Sequence, residues 1–285
     1  FKKLAIIFDI FFYNKLLKRP DFSEKKIFLQ GKLNEEKILK KDNILNLKEV
    51  EFSVFSQFGE DGIISWLLNN IPDVKKTFLE IGTQDYWESN TRFLLKSKNW
   101  KGYLIEGNKV DIEKIKKQRI YWQHNLKAIN VYVDKENINL ILEQNLEEKE
   151  IGILSIDIDG IDYWILKEMN VLNPTIIICE FNSIFGDQHQ ISVPYDKSFD
   201  RKKIHYSKVF FGASINAYKE LLKKKGYTFL GTSSSGVNAF FIRNNYKDHI
   251  LNKIKRIDCY PSLVRESLDR NGDLDFSNTL EQLKK

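Results

Sequence analysis

The sequence predicts an α/β chain: a Rossmann-like, mostly parallel seven-stranded sheet with helices on both faces, a C-terminal antiparallel β-hairpin, and helical extensions at either end. Three observations predict it. From Phe52 onward, short β-branched or aromatic runs alternate with amphipathic stretches, the βαβ rhythm of a parallel sheet. The run "PTIIICEF" (174–181) is almost unbroken in apolar residues, as a strand covered on both faces must be. Finally, "YTFLGT" and "VNAFFIR" are two β-runs joined by the tight "SSSG" connection, a hairpin.

Residues 1–50 are Lys-rich and helical in pattern, and form an N-terminal extension. "TFLEIG" (77–82) is the first strand, followed by a helix around 88–98. "KGYLIEG" (101–107) is the second, with its helix over 108–118. "KAINVYV" (127–133) is the third, followed by a helix from about Lys135 to Glu147. "IGILSID" (151–157) is the fourth, with a helix through "YWILKEM"; 174–181 is the fifth. After a long loop, "SINAYKELLKKKG" (214–226) is a helix ending on Gly226 as its C-terminal cap. The hairpin closes a sheet domain spanning 51–243, and a charged helical tail fills 244–285.

With 285 residues and 42% apolar composition, the chain can bury one large core. Net charge is +6, but 45 basic residues face 39 acidic ones, so the surface is mixed. That balance favours a small anionic molecule or glycan precursor mildly and argues against a nucleic acid polymer. Two isolated cysteines, Cys179 and Cys259, make no disulfide framework and point to a reducing, cytoplasmic setting. No apolar run reaches a membrane span. "FKKLAIIFDIFFYNKLLKR" reads as an amphipathic helix for packing, self-association as a homo-oligomer, or peripheral membrane contact.

In open α/β sheets, ligands sit at the carboxyl ends of the strands. The first strand ends Glu80-Ile81-Gly82, where the glycine permits a close turn past a ligand. The second ends Glu106-Gly107-Asn108, an acid where a ribose diol can be gripped; the bland alternative is two surface acids in turns. A dinucleotide pyrophosphate calls for G-x-G-x-x-G, whereas "GTQDYWESN" follows the first strand. A ligand with a ribose and no phosphates fits better, and S-adenosylmethionine is one.

The motifs "FLEIG", "YLIEGN" and "ILSIDIDGIDYWIL", with the closing hairpin, resemble class I S-adenosylmethionine-dependent methyltransferases. "FSQFGEDGII" (55–64), "VPYD" (193–196), "FFGASINAY" (210–218) and "GVNAFFIR" (236–243) are closer to the FkbM-related bacterial branch, found in surface-polysaccharide and natural-product pathways. The likeness covers about two thirds of the chain and leaves 1–50 and 244–285 outside. It implies that Glu80 and Gly82 flank the methionine moiety and Glu106 the ribose, with Gly107 and Asn108 beside it. Gln57, Gly59 and Glu60 would line the cofactor entrance, and Asp157 would approach the cofactor's amino group or the acceptor. Tyr195, Asp196 and Asn238 would shape the acceptor pocket. The first loop departs from the family's three-glycine form.

Methyl transfer to oxygen requires removal of the acceptor's proton, by a carboxylate, a histidine or a metal. Asp157 and Asp159 share a face by two-residue alternation, and Glu180 and Asn182 repeat the pattern on the next strand. These four residues make an oxygen-rich candidate site for Mg²⁺ or Mn²⁺. Alternatively, Asp159 caps the following helix. His189 and His205, in the long loop, are candidate bases or ligands, against a plain surface reading. Trp87 and Tyr163 are candidates for adenine stacking or for the core.

The expectation is therefore a cytoplasmic S-adenosylmethionine-dependent O-methyltransferase acting on a small polar acceptor. That acceptor would be a sugar, a glycan precursor or a phosphate- or phosphoramidate-bearing intermediate of capsular polysaccharide. Two rivals stand beside it. One is a nucleotide-sugar glycosyltransferase using Asp157 and Asp159 as a metal-binding D-x-D; the other is a non-catalytic module that assembles pathway enzymes through its helical ends.

Overall fold

The computed structural model describes residues 20–262 and 267–275. The basic-apolar stretch 1–19, on which the packing, self-association and membrane readings fall, lies outside them, as do 263–266 and 276–285.

Seven strands form one sheet: β1 (Thr77–Ile81), β2 (Lys101–Glu106), β3 (Leu126–Asn130), β4 (Glu150–Ile156), β5 (Asn173–Glu180), β6 (Tyr227–Thr232) and β7 (Asn238–Arg243). Their spatial order is β3-β2-β1-β4-β5-β7-β6. The first five pair in parallel, and β7 runs antiparallel to both β5 and β6. This is the sheet the sequence predicts, closing hairpin included. The chain winds outward from β1 to β3 and then returns to lay β4 beside β1. The switch point at which open sheets bind ligands therefore falls between the ends of β1 and β4.

Strand residues alternate between two apolar layers. Phe78, Leu104, Ile153, Ile176, Ile178 and Phe240 face one; Leu79, Ile105, Leu154, Ile156, Ile177 and Phe241 face the other. The first layer is covered by α2 (Glu60–Asn70), α3 (Arg92–Lys98), α4 (Lys109–Lys117) and α5 (Arg119–Gln123). The second is covered by α6 (Ile138–Asn145), α7 (Asp162–Glu168) and α9 (Ile215–Lys224). Cys179 is buried in the second layer, as its apolar surroundings imply.

The N-terminal extension contributes α1 (Pro20–Ile38), joined to α3 by ion pairs from Glu24 to Arg92 and Lys96, both 2.9 Å. Ile44, Leu47 and Val50 are in the sheet's own core. Among the described residues the tail is helical over a 3-10 turn (Asn244–Tyr246) and α10 (Lys247–Leu251); beyond it the described chain is irregular, fastened by Thr232 N–H to the Asp258 carbonyl at 3.1 Å.

Three local features of the helices have physical causes. The helix expected from 88 begins at Arg92, because residues 83–91 form a loop tied to Glu80. The helix after β2 breaks at Gln118, whose extended backbone starts α5. Helix α2 carries a glycine that depresses helix propensity, yet Gly62 is needed there: a Cβ would lie 2.0 Å from the Val50 carbonyl oxygen.

Candidate active site

A cavity of about 750 Å³ opens across the carboxyl ends of β1, β2, β4 and β5 and the start of β7. Its two ends are built differently.

At the β1–β2 end the backbone does most of the shaping. Gly82 has φ +83°, and a Cβ there would stand 1.7 Å from the Asp157 carbonyl oxygen, so only glycine fits the turn. Glu80 is buried and accepts from Ser89 Oγ (2.6 Å), Asn90 N (3.0 Å), Thr91 N (3.2 Å) and Thr91 Oγ1. It lines the cavity while holding the loop that leads into α3. Glu106 accepts from the backbone N–H of Gln84 and of Asn108, both at 2.8 Å, which fixes its carboxylate at the cavity wall. Gly107 also lines the cavity, under the Tyr132 ring, where a Cβ would meet a ring carbon at 2.3 Å. Tyr132, and neither Trp87 nor Tyr163, is the aromatic side chain that lines the cavity beside Glu106. Trp87 instead stacks on the Arg92 guanidinium (4.5 Å), and Tyr163 packs edge-on against Trp164 and Tyr218.

Of the expected entrance residues, Gln57 lines the cavity; Gly59 and Glu60 do not. Gly59 backs onto Glu51, and Glu60 is buried behind the wall, accepting from Phe58 N and Asn238 Nδ2, each at 3.0 Å. Asn108 is likewise displaced from the cavity: its side chain caps α4 by accepting from Val110 N at 3.0 Å.

At the β4–β5 end, carboxylates crowd. Asp157, Asp159 and Glu180 each offer an oxygen within 4.8 Å of the others. Burial, then repulsion from Asp159 and Asp162, pushes Asp157 well above the usual carboxylate range. Burial and repulsion from Asp157 do the same to Glu180. The alternation that placed Asp157 and Asp159 on one strand face stops early, because β4 ends at Ile156. The next residues form a turn with Asp159 at φ +57°, held by Asp162 accepting from Ile158 N (2.7 Å) and Gly160 N (3.0 Å). Asp162 does this buried, its carboxyl raised to about 6 by desolvation. Asp159 caps no helix; it pairs with Arg201 of α8 (Arg201–Ile204), whose guanidinium also lies over the Phe211 ring at 4.2 Å.

Asn182 lines the cavity but is not placed as a metal ligand. Its amide nitrogen donates to the carbonyls of Val209 (2.8 Å) and Phe211 (3.0 Å), and its oxygen accepts from Ile184 N (3.1 Å). It pins the 209–211 loop. Asp157, Asp159 and Glu180 are the set with the hard-oxygen chemistry to take a divalent cation, and Arg201 already balances one of the three.

Four loop residues do not reach the cavity. His205 shares its Nδ1 with Ser207 Oγ at 2.7 Å and stacks on Tyr206. His189 is exposed. The Tyr195 hydroxyl donates to Glu136, and Asp196 accepts from Ser198 N and Oγ at 2.8 and 2.7 Å. The loop instead contributes Lys197, Phe199, Arg201 and Phe211 to the wall. No periodicity marks these four residues; they are selected by how the loop folds back over the strand ends.

No family model and no curated protein matches the chain. Among solved structures, an O-methyltransferase from Bacillus cereus in complex with SAH is similar over 81% of this chain and 94% of its own, at 16% identity and a TM-score of 0.41. A putative caffeoyl-CoA O-methyltransferase from Staphylococcus aureus is similar over 65% and 82%, at 20% identity and 0.41. The N-terminal domain of EvdMO1 with SAH bound is similar over 66% and 81%, at 10% identity and 0.41. At TM-scores this low none of these likenesses carries an argument about chemistry, which is left to the cavity.

Proposed function

We propose that the chain is an S-adenosylmethionine-dependent O-methyltransferase whose acceptor is a small polar molecule, a sugar or glycan precursor. One observation carries the reading. The Gly82 turn and the Glu106 carboxylate, at the ends of neighbouring strands, line the same cavity as the Asp157–Glu180 pair. A volume of about 750 Å³ suits a nucleoside cofactor together with a small acceptor. The sequence motifs shared with the FkbM-related branch support the same conclusion and supply the surface-polysaccharide context.

The cofactor would supply an electrophilic methyl group on a sulfonium. The chain's own residues do the rest. Gly82 lets the backbone pass close to the ligand, and Glu106 offers two oxygens, pre-oriented by Gln84 and Asn108, to a diol. The Asp157–Glu180 pair would receive the proton that the acceptor hydroxyl gives up on taking that methyl group. Holding acceptor and donor together in one cavity supplies much of the rate. Among the described residues no helix is long and apolar enough to cross a membrane.

Thermal unfolding tests the reading against its glycosyltransferase rival. S-adenosylhomocysteine without metal should raise the midpoint, by about 2.7 kcal/mol of stabilisation at a hundredfold excess over Kd. Stabilisation by UDP or GDP with Mn²⁺, and none by S-adenosylhomocysteine, would overturn it.

A further inference from the structure

Glu180 and Asn238 are direct cross-strand partners at the end of the antiparallel β5–β7 pair, so their side chains leave the same face of the sheet. Both line the cavity. Each has a buried oxygen, Glu180 Oε2 and Asn238 Oδ1, with no hydrogen-bond partner among the described residues. Asn238 is only 4% exposed, so bulk water does not satisfy it. Orphaned buried acceptors are costly, and two side by side on a cavity wall call for a ligand that donates twice.

The orientation of Asn238 follows from its other contact. Its Nδ2 donates to Glu60 Oε1 at 3.0 Å, and a carboxylate can accept only from the NH₂ side of an amide, so Oδ1 is directed away from Glu60. Glu60 is in turn fixed by Phe58 N–H at 3.0 Å and by complete burial. Glu60 thus acts through Asn238 without touching the cavity.

We propose that Glu180 and Asn238 form the seat of the methyl acceptor, which meets it with a vicinal pair of hydroxyls, one donating to each orphaned oxygen, while Glu60 is the positioning residue that keeps the Asn238 carbonyl available. The proposal rests on the methyltransferase reading and adds the chemistry of the acceptor's buried end. An anionic group is disfavoured at this seat, because Asn238 Oδ1 can only accept and its amide nitrogen is already given to Glu60. A phosphate or phosphoramidate on the acceptor must lie elsewhere, and Lys197 and Arg201 are the cations that line the cavity.

The test uses the full chain loaded with S-adenosylhomocysteine, titrated by saturation-transfer NMR with methyl mannoside and with its 2-deoxy and 3-deoxy analogues. The intact cis-diol should bind about tenfold more tightly than either deoxy sugar, because each deletion leaves one acceptor unpaired. In Asn238→Leu and in Glu60→Gln, the discrimination against the deoxy sugar lacking the hydroxyl that meets Asn238 should vanish and that against the other should remain, while cofactor-product affinity, read by calorimetry, stays within about twofold. A purely structural role for either residue would weaken all three sugars alike. Equal binding of the three by the wild type overturns the seat. So does Mg²⁺ binding that is lost in Glu180→Gln and Asn238→Leu, which assigns the two oxygens to a cation. Failure of S-adenosylhomocysteine to bind at all overturns the parent reading, and the seat with it.

Discussion

Both ends of the cavity are lined with acids, and the fold treats them in opposite ways. At the β1–β2 end the two strand-end carboxylates are supplied with donors: Glu80 accepts from two hydroxyls and two backbone amides, and Glu106 from two backbone amides. At the β4–β5–β7 end, Asp157 and Glu180 repel each other in burial, and Glu180 and Asn238 carry orphaned oxygens. Saturated acids are pre-organised and hold a fixed shape; unsaturated ones hold free energy that a ligand or a proton transfer can release. On the proposed reading the first end grips a constant cofactor and the second carries the reaction.

The largest effect belongs to the first end. Gly82→Ala drives a Cβ into the Asp157 carbonyl at 1.7 Å and imposes a left-handed backbone on a residue that resists it. S-adenosylhomocysteine affinity should fall by about a hundredfold or more, with circular dichroism reporting whether the sheet persists. A folded variant that binds within threefold of wild type would show that the turn is no cradle. Glu106→Ala should cost less, about 1.5–3 kcal/mol of binding, or ten- to a hundredfold. Glu106 is only half-buried, so the unfolding midpoint should move little. A large drop in midpoint with unchanged affinity would reassign Glu106 from ligand grip to loop fastener.

The same contrast explains what the sequence discloses. All seven strands are legible because each is a short apolar run with clear punctuation. Glu80, Gly82 and Glu106 follow immediately from strand ends. The saturated end is local: its donors come from Gln84, Ser89, Asn90, Thr91 and Asn108, all within about a dozen residues of β1 or β2. The reactive end is assembled over long range. Arg201 reaches Asp159 across 42 positions, and Glu60 reaches Asn238 across 178. No window of sequence contains such pairs. Asn182 shows the converse error: it has the right residue type at the right alternation, but its amide is spent on the 209–211 carbonyls. His189 and His205 were candidates by type alone, and the loop turns both away.

The smallest effect tests whether the reactive end holds its proton. Burial raises both Asp157 and Glu180, so the folded chain keeps protons that the unfolded chain releases near pH 4. The folded state therefore binds more protons than the unfolded one above that point, and this contribution to stability, complete below about pH 4, is lost as pH rises through the folded-state values. Glu180→Gln is neutral at every pH and escapes Glu180's share of the loss, while Asp157 keeps its own. Its stability relative to wild type should improve between pH 6 and pH 9, read by urea unfolding at each pH. Methyl transfer by the wild type should rise over the same interval as the pair becomes able to accept a proton, and the variant should show a smaller rise, carried by Asp157 alone. A stability difference that is flat with pH would mean that both acids are ionised throughout. The two ends of the cavity would then differ in hydrogen bonding but not in charge, and the base would have to be sought outside the Asp157–Glu180 pair.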